Sequence, residues 1–396
     1  MFELEAIQSA IKEFGFDGWL LYDFRGNNLL ARRILDLEQK PVGSRRFFYL
    51  IPASGSPHKL VHRIESQSLD HLPGEKQVYL TWQELETKLK QLLNGHSQVA
   101  MEYSPKAANP YVSRVDAGTV ELVQSFDVRV QSSGDLVQYF EARWSPEQWQ
   151  LHLQASEYNE AAFQKAWQFI AERVRSDGQT DEQSVREVIM QHYREHNMTT
   201  YHPPIVAVGP HGGDPHYETG TGKDCTIQHH SYVLIDAWAK RDQPAAVYSD
   251  LTQVGCVAET VPAEYQRIFE IVAAGRDAAI NLVRTAFATG VTIQGWQVDQ
   301  AARDVITAAG YPEAFVHRTG HSIGQETHGN GANMDNLETH ETRQVMRRTC
   351  FSIEPGIYLD EFGIRSEVDV YIDEGGTVHV TGGEPQRAPL AVLAVY

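Results

Sequence analysis

Apolar residues recur at helical spacing over residues 3–14 and 85–93, and in short runs at residues 19–22, 47–51, 78–80 and 99–101. A 3.6-residue period marks an amphipathic helix, and a short apolar run bounded by polar residues marks a buried strand. The first 140 or so residues therefore read as mixed α/β. His58, His62 and His71 fall here in loop-like or exposed contexts and are expected to carry no chemistry.

The pattern changes at EARWSP, residues 141–146, where the boundary between an N-terminal domain (1–143) and a second domain (144–396) is placed. Ser145 can cap a helix whose first turn holds Pro146 and Glu147. Leu151, Ala155, Tyr158, Ala162, Ala166, Phe169 and Val174 form its buried stripe. A second helix is expected from Thr180, because TDEQ fits a capping box closed by Gln183. Further helices run from Pro262 toward Gly290 and from Gln294 toward Gly310, with strand-like stretches between and after them. The second domain is thus expected to be α+β, with helices packed on a curved, largely antiparallel sheet.

Two predicted hairpins in that domain carry acids inside apolar strands. SYVLIDAWA and AAVYSDLTQV flank the turn KRDQP, and a turn centred on Gln243 places Asp236 opposite Asp250. CFSIEPGIYL and FGIRSEVDVYI flank Asp360 and Glu361, which places Glu354 opposite Glu367. Like charges facing each other on a sheet are destabilising, and an unpaired carboxylate in an apolar strand costs several kcal/mol. Either a metal ion between the acids or a shared proton would relieve this. Asp369 and Asp373, near a strand end, read instead as solvated acids.

A histidine to complete such a site lies in FVHRTGHSIGQETHG, where Gly320 and Gly324 allow a tight path that turns His321 inward. Carboxylates with one imidazole suit Mn²⁺, Co²⁺, Fe²⁺ or Zn²⁺, and the hard-oxygen majority favours Mn²⁺. Two such ions roughly 3.5–4 Å apart activate water at neutral pH and stabilise a tetrahedral oxyanion.

Composition narrows the remaining classes. The formal net charge of −18 leaves no basic face for nucleic acid, and ions bound by four carboxylates would offset part of it. No apolar run reaches membrane-spanning length, and the N-terminus lacks a basic-then-apolar leader, so a cytoplasmic protein with no membrane partner is expected. Cys225, Cys256 and Cys350 are scattered and suggest neither a disulfide framework nor a thiolate zinc site. A rival motif, His192-Tyr-Arg-Glu195-His196, fits HxxEH with both imidazoles on one helical face. It sits at the polar end of a helix, beside Arg186, Glu187 and Arg194, without the apolar-walled pocket catalysis would need.

The blocks PHY (215–217), LIDA (234–237), YSDLT (248–252), HRTGHSIG (317–324), SIEPGIY (352–358) and GIRSEVDV (363–370) resemble the pita-bread metallohydrolases: aminopeptidase P, prolidase, methionine aminopeptidase and creatinase. With a creatinase-like N-terminal α/β domain the resemblance covers essentially the whole chain, and its layout is similar to Xaa-Pro aminopeptidase or Xaa-Pro dipeptidase. It implies two divalent ions, with Asp236 chelating one, Asp250 and Glu367 bridging both, and His321 and Glu354 completing the other. It implies Glu354 as general base toward a metal-bridging hydroxide, with His216 and His328 assisting proton transfer. It also implies His317 as a substrate contact and Arg365 as support for the carboxylates at the substrate side. The substrate would be a small Xaa-Pro peptide, and relatives are commonly dimers or tetramers.

Trp238, Gln253 and GNGANMDN (329–336) depart from the family pattern near where substrate would sit. Two other readings therefore stay open: a member of the same fold acting on another small metabolite, and a non-catalytic binding protein on the same scaffold.

Overall fold

The computed structural model describes residues 2–223 and 225–396. The chain separates into two compact units, Met1–Glu141 and Ala142–Tyr396.

In the first unit, β1 (Gly18–Asp23), β2 (Phe47–Pro52), β3 (His58–His62), β4 (Glu75–Tyr79), β5 (Gln98–Met101) and β6 (Arg129–Ser132) form one sheet in the order β4-β3-β2-β1-β5-β6. Every residue of β1 and β2 is buried because the sheet has a core on each face. Trp19 and Leu21 join Ile7 and Ile11 of α1 (Leu4–Glu13), while Leu20 and Tyr22 join Leu85 and Leu89 of α2 (Trp82–Leu92). Side chains alternate across a strand, so a run with no polar break signals cover on both sides. His58 and His62 lie in strand β3 rather than in a loop, and the buried His62 ring accepts from the Ile64 N–H.

The second unit opens with α3 (Pro146–Asp177). Ser145 accepts from the Gln148 N–H and Gln148 accepts from the Ser145 N–H, closing a capping box at its start. Gly178 ends it in the left-handed region, φ 79°. The next helix, α4 (Glu182–Glu195), is capped by Asp181 and not by Thr180. Thr180 pairs with Ile227 in a two-stranded ladder, and that extended backbone moves the helix start onward. Helices α5 (Ala263–Thr289) and α6 (Gly295–Ala308) follow, touching where Gly275 meets the Ala302 carbonyl.

The helices cover two sheets. In one, β7 (Ile205–Val208) and β9 (Ser249–Cys256) both pair antiparallel with β8 (Tyr232–Arg241). The other comprises residues 322–323, β10 (Cys350–Ile353), β13 (Val368–Ile372) and β14 (Val378–Thr381), all antiparallel. A short ladder of β11 (Gly356–Tyr358) with β12 (Gly363–Arg365) extends beyond it. A single bridge between Thr252 and Glu367 joins the β9 and β12–β13 segments, and the predicted acids converge around it. This unit has the pita-bread fold, and the first unit is α/β.

Candidate metal centre

The first hairpin closes one residue later than its sequence suggests. Asp236 faces Thr252, and Asp250 faces Trp238. This overturns the direct Asp236–Asp250 pairing, because the turn centres on Pro244 rather than Gln243. The slip is two positions along the partner strand, and side chains alternate with a period of two, so both acids remain on one face as diagonal neighbours. In the second hairpin the register is as predicted on either side of the acids: Ile353 pairs with Val368 and Gly356 with Arg365, with Glu354 and Glu367 between them. The ladder breaks there into two pieces. Pro355 has no N–H to donate, so the strand cannot pair continuously through it.

Asp236, Asp250, His321 and Glu367 are each at least nine-tenths buried, and Glu354 is half-buried. The ligand atoms of Asp250, His321 and Glu367 lie within 4.8 Å of one another. His321 Nε2 stands 3.5 Å from Asp250 Oδ2 and 3.4 Å from Glu354 Oε1. Its position depends on Gly320, where a Cβ would fall 1.9 Å from the Ser352 carbonyl oxygen. Gly324 meets no such restriction, with only the Glu326 carbonyl at 3.9 Å.

Hydrogen bonding defines what each group offers. His321 Nδ1 lies 3.4 Å from the Ser322 carbonyl, an acceptor, so the N–H is there and Nε2 presents a lone pair. Three acceptors (Nε2, Asp250 Oδ2 and Glu354 Oε1) then face one another in a buried space. Asp236 Oδ1 is also buried with no hydrogen-bond partner. Arg365 is the buried cation beside them. It donates to Asp236 Oδ2, to Thr252 Oγ1 at 3.0 Å and to the Tyr358 hydroxyl at 2.9 Å, and its Nε lies 4.0 Å from Glu354 Oε2. Thr252 passes the connection on by donating to Glu367 Oε2 at 2.7 Å. Ser352 donates to Glu354 Oε1 at 3.1 Å.

One guanidinium does not neutralise this group. Burial holds Asp250 and Glu367 well above the usual carboxylate range, and repulsion from neighbouring carboxylates adds to it. Burial raises Asp236 too, against the pull of Arg365, and raises Glu354 to about 7. A set of oxygens and one imidazole nitrogen with unsatisfied lone pairs, arranged around a common space, fits divalent cations.

Asp369 is not a solvated acid. It is fully buried, accepts the Asp250 N–H, and lies 3.8 Å from the buried His152. Asp373 is partly exposed in a turn, where it accepts from the Thr377 N–H. The other expected residues are distributed as follows. His328 lies edge-on to His321, ring centres 4.3 Å apart, and is exposed. His216 is exposed on the loop after residues 209–213, near enough to His328 to act on its charge. His317 has both nitrogens engaged: Nδ1 donates to the Arg318 carbonyl and Nε2 accepts from the Tyr358 hydroxyl at 2.6 Å.

The sequence reading gives Thr252, Ser352 and Tyr358 no role and takes Asp369 for a solvated acid. Three carry a signal in the sequence: Arg365, Glu367 and Asp369 alternate with a period of two, as do Asp250 and Thr252, and Ser352 and Glu354, which places each set on one face. Tyr358, beyond the break at Pro355, carries none.

Among the described residues two further groups could hold a metal. Glu182, His211 and Cys225 form one, but its acid is already satisfied, accepting from Val208 N at 2.8 Å, His211 Nδ1 at 2.6 Å and the Tyr217 hydroxyl at 2.5 Å. These bonds tie the loop that carries His216 to the start of α4. The other group is His192, Glu195 and His196.

Comparison with known proteins bears on the same unit. The sequence profile of metallopeptidase family M24 matches residues 150–374. A Lactobacillus helveticus Xaa-Pro dipeptidase is 34% identical over 165 residues, 41% of this chain and 40% of that protein. The matched stretch spans less than half the length of this and the other curated relatives, such as a Staphylococcus saprophyticus uncharacterized peptidase at 31% identity over 47% of its length. In three dimensions the chain is similar to dipeptidase PepE from Mycobacterium ulcerans, with a TM-score of 0.65, 22% identity and 98% and 96% of the two chains covered. Among the described residues no helix is long and apolar enough to cross a membrane.

Proposed function

Since the chain belongs to metallopeptidase family M24, we propose that it is a dinuclear-metal exopeptidase hydrolysing the N-terminal bond of Xaa-Pro peptides or dipeptides. One observation carries the reading: the His321 Nε2 lone pair faces the Asp250 and Glu354 carboxylates at 3.5 and 3.4 Å with no donor between them. In this reading Asp236 would hold one ion, Asp250 and Glu367 would be shared by both, and His321 and Glu354 would hold the other. Oxygen donors outnumber the single imidazole, which favours manganese, with cobalt, zinc and iron as substitutes. When bound, the ions supply a water activated at neutral pH and charge to offset the developing oxyanion.

The chain's own residues do the rest. Glu354 takes up the proton released as water attacks, at a carboxylate oxygen 3.4 Å from His321 Nε2. Ser352 holds Oε1 of that carboxylate in place. His328, edge-on to His321, and His216 on its exposed loop would return the proton to the departing amine. Arg365 orients Asp236 by donating to its Oδ2, and is itself braced by Tyr358, which donates on to His317, at the substrate side. The proline preference is supported by the Xaa-Pro dipeptidase relative. A cytoplasmic homodimer or homotetramer completes the reading.

The test is turnover of Xaa-Pro dipeptides, Xaa-Pro tripeptides and matched peptides without proline, by protein loaded separately with Mn²⁺, Co²⁺, Zn²⁺ or Fe²⁺. Release of the first residue only when proline is second is expected. No turnover of any peptide with any ion would overturn the proposal.

A further inference from the structure

The end of α4 carries a second constellation that hydrolysis does not use. His192 and His196 are one helical turn apart, their ring centres 4.1 Å from each other, with Glu195 beside them. One ligand atom from each of the three lies within 4.8 Å of the others.

The hydrogen bonds determine which nitrogen each ring has left to offer. His192 Nε2 is 3.0 Å from the Tyr158 carbonyl oxygen, and His196 Nδ1 is 2.8 Å from the His192 carbonyl oxygen. A carbonyl only accepts, so both of those nitrogens carry the proton. His192 Nδ1 and His196 Nε2 therefore hold lone pairs. A metal-ligating imidazole has this arrangement, with its far N–H anchored on a carbonyl that fixes the tautomer and ring plane. His192 is 3% exposed, and its Nδ1 is buried with no hydrogen-bond partner. Burial lowers the pKa of this ring, which keeps it neutral. Glu195 is half exposed, so the group opens to solvent on one side.

We infer that His192 Nδ1, His196 Nε2 and the Glu195 carboxylate form an accessory site for one borderline transition-metal ion, Zn²⁺, Cu²⁺ or Ni²⁺, separate from the oxygen-rich centre. Two imidazoles and one carboxylate leave a fourth position for water, a ligand set suited to zinc. Bonds of about 2.0–2.2 Å would draw the three atoms closer than they stand, and Glu195 is the member able to move. Its contacts are with the side chains of Gln191 at 2.9 Å and Lys165 at 3.7 Å, of which the Lys165 bridge is exposed on both sides. Mn²⁺ binds such nitrogen-rich sites most weakly in the divalent series, so the two centres differ in the ion they prefer. The ion would close the last turn of α4 onto the α3 carbonyl that anchors His192. The ion takes no part in hydrolysis.

Equilibrium dialysis of the full chain against Zn²⁺ or Mn²⁺, followed by elemental analysis, tests this. Wild type is expected to hold one zinc more than His196→Ala, with equal manganese in both. Glu195→Gln alters an exposed side chain and guards against misfolding of the first variant; a loss of zinc affinity of tenfold or more is expected. Equal zinc content and affinity in wild type and both variants would overturn the assignment. Retained peptide hydrolysis by His196→Ala separates this site from the one proposed for catalysis.

Discussion

Asp369 holds Asp250 by its backbone: the Asp250 N–H points at both Asp369 oxygens, 3.3 and 3.1 Å away, and both residues are buried. The bond fixes the stretch of strand backbone from which the Asp250 carboxylate projects into the centre. Removing that support by Asp369→Ala is expected to weaken metal binding about 10–100-fold, the range for loss of a group that orients a ligand. Titration with a buffered metal series would show it. Unchanged affinity would mean Asp250 is held by the strand alone.

Glu354→Gln tests the proton acceptor. The amide keeps an oxygen toward the centre but cannot take up a proton. A fall in kcat of about 10²–10⁴-fold is expected, with KM changing far less. If kcat is kept, the base lies elsewhere.

Tyr358→Phe removes the hydroxyl that accepts from Arg365 and donates to His317. The buried Arg365 and the half-buried His317 would each be left short of a bond, at about 1–3 kcal/mol of stability. Urea denaturation measures the loss. Metal content is expected to stay the same, since Tyr358 touches none of the five proposed ligands through a hydrogen bond.

Metal removal is expected to change how stability depends on pH. In the ion-free protein the folded-state pKa values of Asp236, Asp250, Glu354 and Glu367 lie above the ordinary carboxylate values. Between the unfolded and folded values the native state binds more protons, so stability falls as pH rises. For Glu354 that window runs from 4.5 to about 7. His152, buried and lowered to about 4, acts in the opposite sense, losing stability as pH falls below 6.5. It does so with or without ions, so comparing Tm of the two forms isolates the carboxylates. Ion-free protein should lose Tm between about pH 5 and 7 relative to the loaded form; parallel curves would show that the acids are not coupled through one site.

Much of this centre was legible in the chain, because the signals that placed it are local. Ser145, Pro146 and Gln148 specify a helix start within four residues, and Gly178 its end. The period of two keeps Asp236 and Asp250 on a common face for any even slip of register, and the two-position slip here preserved that face. The pairing itself was decided elsewhere, by a turn centred on Pro244 and by the strand β7 that also pairs with β8. Asp369 read as a strand-end acid until His152 and the Asp250 N–H were seen to enclose it. Thr180 looked like a cap because nothing local reveals that Ile227 recruits it into a ladder.

By itself, then, the order of residues determined which side chains share a face and which backbone positions must be glycine, since both follow from dihedral sterics over a few neighbours. The fold alone decided which distant faces meet: that His321 comes to Glu354 and Asp250, that Arg365 reaches Asp236 across the sheets, and that two imidazoles on α4 each spend one nitrogen on a carbonyl. Except for the His196–His192 bond within one helical turn, those are outcomes of burial and packing among segments far apart in the chain, 129 residues for Arg365 and Asp236, where no short-range pattern carries the information.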